Sequence, residues 1–284
     1  MVFVKIILPI FLVIGLGAFF EKIQKPDFKT ISDLTLYFLA PCLVFAGLLK
    51  AHEQIASFFP KAFFFMASLT LIFWALSLFC GKILHLNPKR QSAFSLSTIM
   101  MNTGNYGLPL VLFAFGPEGL AYGVIVLILF TFPLGTLAIY IASRGRDNPG
   151  RAFLEMFKIP LFYAVVLAAL WRGLHLSMPD FIFKTIDMLG EAAIPSLLIL
   201  LGIQLARTRI TGGLKTLLTS SFLRLVLSPV IAFFLCALLH IKGLPRDVLI
   251  LQTSTPPPLS PCFTPLNTTH TPTWSPEVFF YQRS

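Results

Sequence analysis

SLSTIMMNTGNYGLPLVLFAFG, residues 95–116, lies inside an apolar region yet carries Asn102, Thr103, Gly104, Asn105, Gly107 and Pro109 at its centre. An ordinary membrane-crossing helix does not have that composition. Pro109 has no N–H to give and disfavours helix at Leu108, while Gly104 and Gly107 each weaken a helix by about 1 kcal/mol relative to Ala. The helix is therefore expected to break there. Backbone exposed at that depth is costly unless it lines a polar cavity or meets protein partners, so the break belongs in the protein interior beside a site. The helix that resumes near Leu108 would aim its N-terminal N–H groups, positive in sense, at that place. The alternative is a plain kink, packed by Asn and Thr hydrogen bonds.

The rest of the chain supplies the membrane. Apolar residues make up 56% and charged residues 12%, with a mean hydropathy of +0.82, against roughly 45–50% and about 25% in soluble domains. Apolar runs fall at about 3–20, 31–50, 62–83, 91–114, 118–142, 152–171, 186–206 and 216–240, with a ninth beginning near Arg246. The expected class is an all-α polytopic membrane protein. The stretch after Lys5 is read as a first span, because no small-residue cleavage pattern leads into a soluble domain.

The net charge of +10 does not indicate nucleic acid, since Lys and Arg sit in short loops and form no continuous basic face. The first, third, fifth and seventh loops hold 13 of them, and the N-terminus with the even loops holds 7. The richer side stays in the cytoplasm, which places the N-terminus outward in the inner membrane and the loop from Arg144 to Arg151 inward. Cys42, Cys80, Cys236 and Cys262 are far apart and suggest neither disulfides nor a metal site.

An internal repeat appears at an offset of about 150 to 155 residues: ILPIFLVIGL from Ile7 against KIPLFYAVVL from Lys158, APCLVFAGLL from Ala40 against IPSLLILLGIQL from Ile194, and LHLNPKR from Leu84 against LHIKGLPR from Leu239. Five spans per unit is an odd number, so the second copy would enter the membrane inverted. The expected organisation is a first five-helix repeat over 1–142, a cytoplasmic connection over 143–151, and an incomplete second repeat over 152–257. QTSTPP, Gln252 to Pro257, falls where the second unit would place its own break. Two broken helices crossing at mid-membrane form the pattern of inverted-repeat transporters, in which helix ends and polar side chains hold the substrate.

Other residues carry alternatives. Pro41 and Pro195, at matching places in spans two and seven, either kink helices beside the site or simply pack. Gln204 reads as structural. Asp187 and Glu191, one turn apart at the outward start of span seven, either bind a cation or gate, or are merely solvated. Arg224, about two turns inside span eight, is expected to snorkel to the cytoplasmic surface, the alternative being a charge offered to an anionic substrate. His85 and His240 are repeat-related loop positions. No HExxH, GxSxG or phosphate loop is present, and neither an enzyme, a cofactor nor a metal is expected.

MNTGNYGLPL followed by FGPEGL, with AAIPSLLILLGIQLA and RLVLSPVIA in the second half, resembles the auxin efflux carrier family of permeases, including its bacterial malonate-type members. The similarity spans about residues 5 to 257 and is most specific in span four. It implies ten spans in two inverted five-helix repeats, crossed broken helices four and nine, and alternating access for small carboxylates. By that resemblance Asn102, Thr103 and Asn105 would face substrate, with Gln252 and Thr253 opposite. A coupling proton or sodium ion, the lipid bilayer and a homodimer complete the expected partners. A receptor or sensor that does not transport, or a non-functional gene product, are the alternatives.

From Pro256 onward the chain departs from that pattern, with seven prolines in 29 residues. A helix cannot complete through them. Permitted codons for Phe263–Ser284, read from the third base, encode YTIEHNTHPDMVAGSVFLSTL, a polar loop leading into an apolar segment. The tail 258–284 is thus expected to be disordered and frameshifted, leaving helix nine truncated, helix ten missing and transport impaired.

Overall fold

The computed structural model describes residues 2–51, 54–131, 160–208 and 214–258. The connection over 143–151 and the chain from residue 259 on, with the expectations placed there, lie outside the described residues. Within them the regular structure is helical: α1 (Val2–Gln24), α2 (Phe28–Lys50), α3 (Gln54–Ile83), α4 (Pro88–Ile99), α5 (Leu108–Leu129), α6 (Pro160–Gly173), α7 (Asp180–Arg207), α8 (Leu214–Leu238) and α9 (Leu244–Thr253). Six helical stretches are long and apolar enough to cross a membrane. Their outward faces are apolar as well, with Phe11, Leu12, Leu16 and Phe19 exposed on α1 and Phe233, Phe234 and Leu238 on α8. Such a surface suits a hydrocarbon solvent. The chain is an all-α polytopic membrane protein.

One of the six, Arg90–Leu129, counts 40 residues, and an unbroken helix of that length would reach about 60 Å, twice the hydrocarbon core. It is broken twice. The first break is at Asn102. The second is at Gly116, whose φ of 69° is open to glycine and costly for other residues. There the chain turns back on itself: a Cβ on Gly123 would lie 3.3 Å from Val111 Cγ1 and 3.4 Å from Leu108 Cδ2, impossible along a straight helix. The first arm of α5 therefore ends span four and the second begins span five, as the apolar runs ending at 114 and restarting at 118 anticipate.

Prolines shape three helices in one way. Widened π turns at Thr35–Leu39, Thr103–Gly107 and Leu223–Leu227 each end two residues before a proline, namely Pro41, Pro109 and Pro229. A proline ring collides with the carbonyl four residues back and offers no N–H, and the wider turn absorbs both faults. The N–H groups of Ala40, Leu108 and Ser228 then reach Thr35 O, Thr103 O and Leu223 O, five residues back. Pro195 differs. It lies inside α7, which has no widened turn before it.

The main core joins α3, α4, α5, α8 and α9 through Phe65, Phe73, Phe94, Val126, Cys236 and Leu249. A second cluster joins α2, α5, α6 and α7 through Val44, Val124, Ala164 and Ile194. Helix α7 meets α1 backbone to backbone: a Cβ on Gly202 would collide with Ile14 O, and one on Gly17 with the backbone of Ile199. At one end of α7, Asp187 pairs with Lys50 on α2, and at the other Arg207 pairs with Glu21 on α1.

Helix ends repeat as well. Lys25, His85, His175 and His240 take φ of 45°, 49°, 51° and 52° after α1, α3, α6 and α8. After the three histidines the chain closes in the same way, Leu86 N–H to Gly81 O, Leu176 N–H to Trp171 O and Ile241 N–H to Cys236 O. His85 and His240 are thus helix-closing residues.

Candidate substrate site at the crossing of two broken spans

Asn102 organises the break in span four. After Ile99 the chain is extended at Met100, with ψ 138°. Asn102 then makes three hydrogen bonds: its Oδ1 accepts from Asn105 N–H at 3.1 Å, its C=O from Gly107 N–H at 2.8 Å, and its own N–H donates to Pro256 C=O at 3.1 Å. The first two start the turn that leads into α5. The third reaches the chain just past α9 and joins the break in span four to the end of that helix directly. Asn102, Thr103, Asn105, Gly107 and Pro109 are buried and Gly104 is half-buried.

On the other side, Gln252 is fully buried and donates from Nε2 to Gly123 C=O at 3.3 Å. Its Cδ lies 3.6 Å from where a Cβ on Gly107 would stand, so the last turn of α9 packs on the first turn of α5. Thr253 Oγ1 donates back to Leu249 C=O at 2.7 Å, within its own helix. What Thr253 gives to the surroundings is its carbonyl, which accepts from Ser228 Oγ at 2.8 Å and from an Arg224 guanidinium nitrogen at 2.8 Å. The same nitrogen lies 3.3 Å from Thr255 C=O.

The expectation that Arg224 snorkels to the surface does not hold. Its side chain is fully buried, its guanidinium lies 5.7 Å from the centre of the Phe73 ring, and it is the one charged residue among the buried described residues. The end of a broken helix leaves carbonyls without intrahelical partners, and a buried cation meets that need better than water at mid-span. Three buried polar atoms around the crossing have no partner: Asn105 Oδ1, Gln252 Oε1 and Arg224 Nε. In a site built to receive something polar, such atoms are what the visitor completes.

The remaining candidates lie apart from this centre. Pro41 sits on α2 behind its π turn, Pro195 on α7, and Asp187 gives both carboxylate oxygens to Lys50 Nζ at 2.6 and 2.7 Å. Glu191, one turn on, is exposed. Among the described residues no group of three or more His, Cys, Asp or Glu gathers as a metal site. Sequence reasoning misses Ser228 and Gly123, and the snorkelling expectation misplaces Arg224. The one available signal was a charge inside a span with a serine four residues on, which by default marks function.

A membrane span interrupted at Asn102 that meets the end of α9, with polar groups held among apolar helices, is an arrangement suited to a membrane transporter. The comparisons agree. The chain matches the family profile described as membrane transport protein over residues 2–149 and 149–281, and it belongs to that family, the auxin efflux carrier permeases that span four resembles. It is 28% identical over 260 residues to an uncharacterized transporter of Methanocaldococcus jannaschii, covering 87% of this chain and 83% of that protein. It is 23% identical over 240 residues to an uncharacterized transporter of Methanothermobacter thermautotrophicus, covering 82% and 76%.

Proposed function

We propose that this transporter carries small organic anions, dicarboxylates or auxin-like carboxylates, across the inner membrane by alternating access, with the substrate held where spans four and nine cross. The observation that carries this is the Asn102 N–H to Pro256 C=O bond, flanked by the unpartnered Asn105 Oδ1, Gln252 Oε1 and Arg224 Nε. A helix that begins at the crossing offers a positive pole to a carboxylate. Thr103 and Gly104 stand at that same pole, and Gly107 lets Gln252 approach it.

Two inverted repeats remain part of the proposal. Lys25 and His175 on one hand, and His85 and His240 on the other, pair the positive-φ helix ends at the offset of the repeat, and the two blocks of the family match meet at residue 149. The outward N-terminus rests on the loop charges. A coupling proton or sodium ion and a homodimer belong to the same proposal. Asp187 as an ion site or gate has against it the Lys50 ammonium that already occupies both its oxygens.

The test is uptake of labelled malonate and of a four-carbon dicarboxylate into proteoliposomes, holding either the purified chain, whose transport is expected to be impaired, or the chain continued in the shifted frame. Saturable uptake that Asn105→Ala and Gln252→Ala each abolish supports the site. Uptake indifferent to both substitutions refutes it, and binding without flux favours a receptor. The shifted frame after Pro256 is tested beside it. Coding DNA that continues into an apolar tenth span in another frame, with uptake restored by reading that frame, supports the proposal; DNA with no such frame overturns it. The family match reaching residue 281 weighs against a shift.

A further inference from the structure

The two broken spans present opposite poles to the crossing. Span four contributes the beginning of a helix, positive in sense, and span nine contributes the end of one, negative in sense. Left alone, the carbonyls at the end of α9 would repel the anion that the start of α5 attracts. Arg224 stands on those carbonyls. Its guanidinium donates to Thr253 C=O and Thr255 C=O, Ser228 Oγ supports the first of these, and no carboxylate among the described residues pairs with it. A guanidinium keeps its charge on a rigid planar fork, and the one nitrogen that makes both contacts has two N–H groups to give.

We propose that Arg224 is the positioning residue of the crossing: it clamps the C-terminal end of α9 and cancels its negative pole, so that the net field at the site favours an anion. It acts through the α9 backbone. The sign of the preferred substrate is then set from α8, the helix that also supplies Ser228. This rests on the transport reading of the crossing, but the clamp can be tested without transport.

In a background with the native cysteines replaced, Thr255→Cys reports on the end of α9 and Ser77→Cys on the interior of α3; both native residues are buried, at 1% and 0% exposure. Reaction with N-ethylmaleimide is measured in native membranes of the full chain. Arg224→Gln is expected to speed labelling of the Thr255 reporter by about tenfold or more, the loss expected when a charge-assisted bond at a buried site is removed. The Ser77 reporter should keep its rate, and Arg224→Lys, which keeps the charge without the fork, should fall between. Acceleration at both reporters would make Arg224 a residue of the whole fold, and acceleration at neither would show that it holds nothing; either result overturns the clamp. For the sign of the field, malonate uptake is followed in the same variants. Arg224→Gln should raise the half-saturation concentration more than it lowers the maximal rate, and a fall in maximal rate alone would overturn the charge role. Wild-type protein that moves no malonate, yet gives the predicted labelling, would leave the clamp standing and count against the substrate reading instead.

Discussion

The two breaks solve one problem by different means. In span four the exposed groups at the start of a helix are N–H donors, and the local chain satisfies them: Asn102 caps its own turn with a side chain and a carbonyl. In span nine the exposed groups are carbonyls at the end of a helix, and the local chain has no donor to spare. Thr253 and Thr255 spend their hydroxyls on Leu249 and Gln252 carbonyls within the same segment. Help comes from α8 instead, as Arg224 and Ser228. A short polar residue can cap the start of a helix from within, whereas the end of α9, which no left-handed turn of the kind at His85, His175 and His240 follows, draws a cation and a hydroxyl from another helix. The capping of the first is therefore written in one stretch of sequence, whereas QTSTPP marks where α9 ends but not what satisfies its carbonyls.

That contrast fixes the order of expected damage. Arg224→Met should be the most harmful substitution, because it takes the charged donor from two buried carbonyls and leaves that of Thr253 with Ser228 alone; a hydrogen bond to a charged group contributes about 1.5–3 kcal/mol. A lower thermal unfolding midpoint in detergent measures it, and an unchanged midpoint would mean that span nine holds its own end. Asn102→Ala removes only the side-chain cap. The backbone bonds to Gly107 and Pro256 survive, so the loss should be near the usual ~1 kcal/mol for an N-cap. If it equalled that of Arg224→Met, the two breaks would not differ in kind.

Gln252→Leu should change stability least among the buried positions. It sacrifices a long 3.3 Å bond to Gly123 but also removes an unpartnered buried oxygen, two effects that offset to within about 1 kcal/mol. Uptake should nonetheless be lost, since the oxygen that nothing in the protein satisfies is the one left for a ligand. A stable variant with full uptake would remove Gln252 from the site.

Span four was legible for the same physical reason that it is self-contained. Asn, Thr, Gly and Pro between Asn102 and Pro109 conflict with a membrane helix on local grounds and predict a break, which the structure places at Met100–Asn102, just ahead of the Gly and Pro that argue for it. The reversal at Gly116 was equally plain from the Gly116–Pro117 pair between two apolar runs. Pro229 was not read as a helix-shaper, although it stands behind the same widened turn as Pro41 and Pro109, because π turns leave no residue signature beyond the proline itself. Sequence favours the surface for Arg224 over the site because snorkelling depends on depth, and depth counted along one helix leaves it about two turns from the end. Its true surroundings are set by α9, 29 positions further on, and no local pattern carries that distance.

Asp27 offers the mildest and most discriminating control, since it performs at the membrane edge the capping that Asn102 performs in the interior. Its carboxylate accepts from the Lys29 and Thr30 N–H groups at 3.3 and 3.1 Å and from the Thr30 hydroxyl, at the start of α2. Those bonds, the Thr30 hydroxyl first, hold its pKa below the usual carboxylate value. A lowered folded pKa means that the capping contribution is complete above the unfolded value of about 3.9 and is lost as pH falls through the folded one. Asp27→Ala should therefore lower the unfolding midpoint at neutral pH by less than Asn102→Ala does, and the difference from wild type should vanish in acid. Asp27 makes more cap bonds than Asn102, yet water replaces them when the side chain is gone. Should Asp27→Ala prove the more damaging, burial would not be what gives the interior cap its weight, and the number of bonds would decide instead.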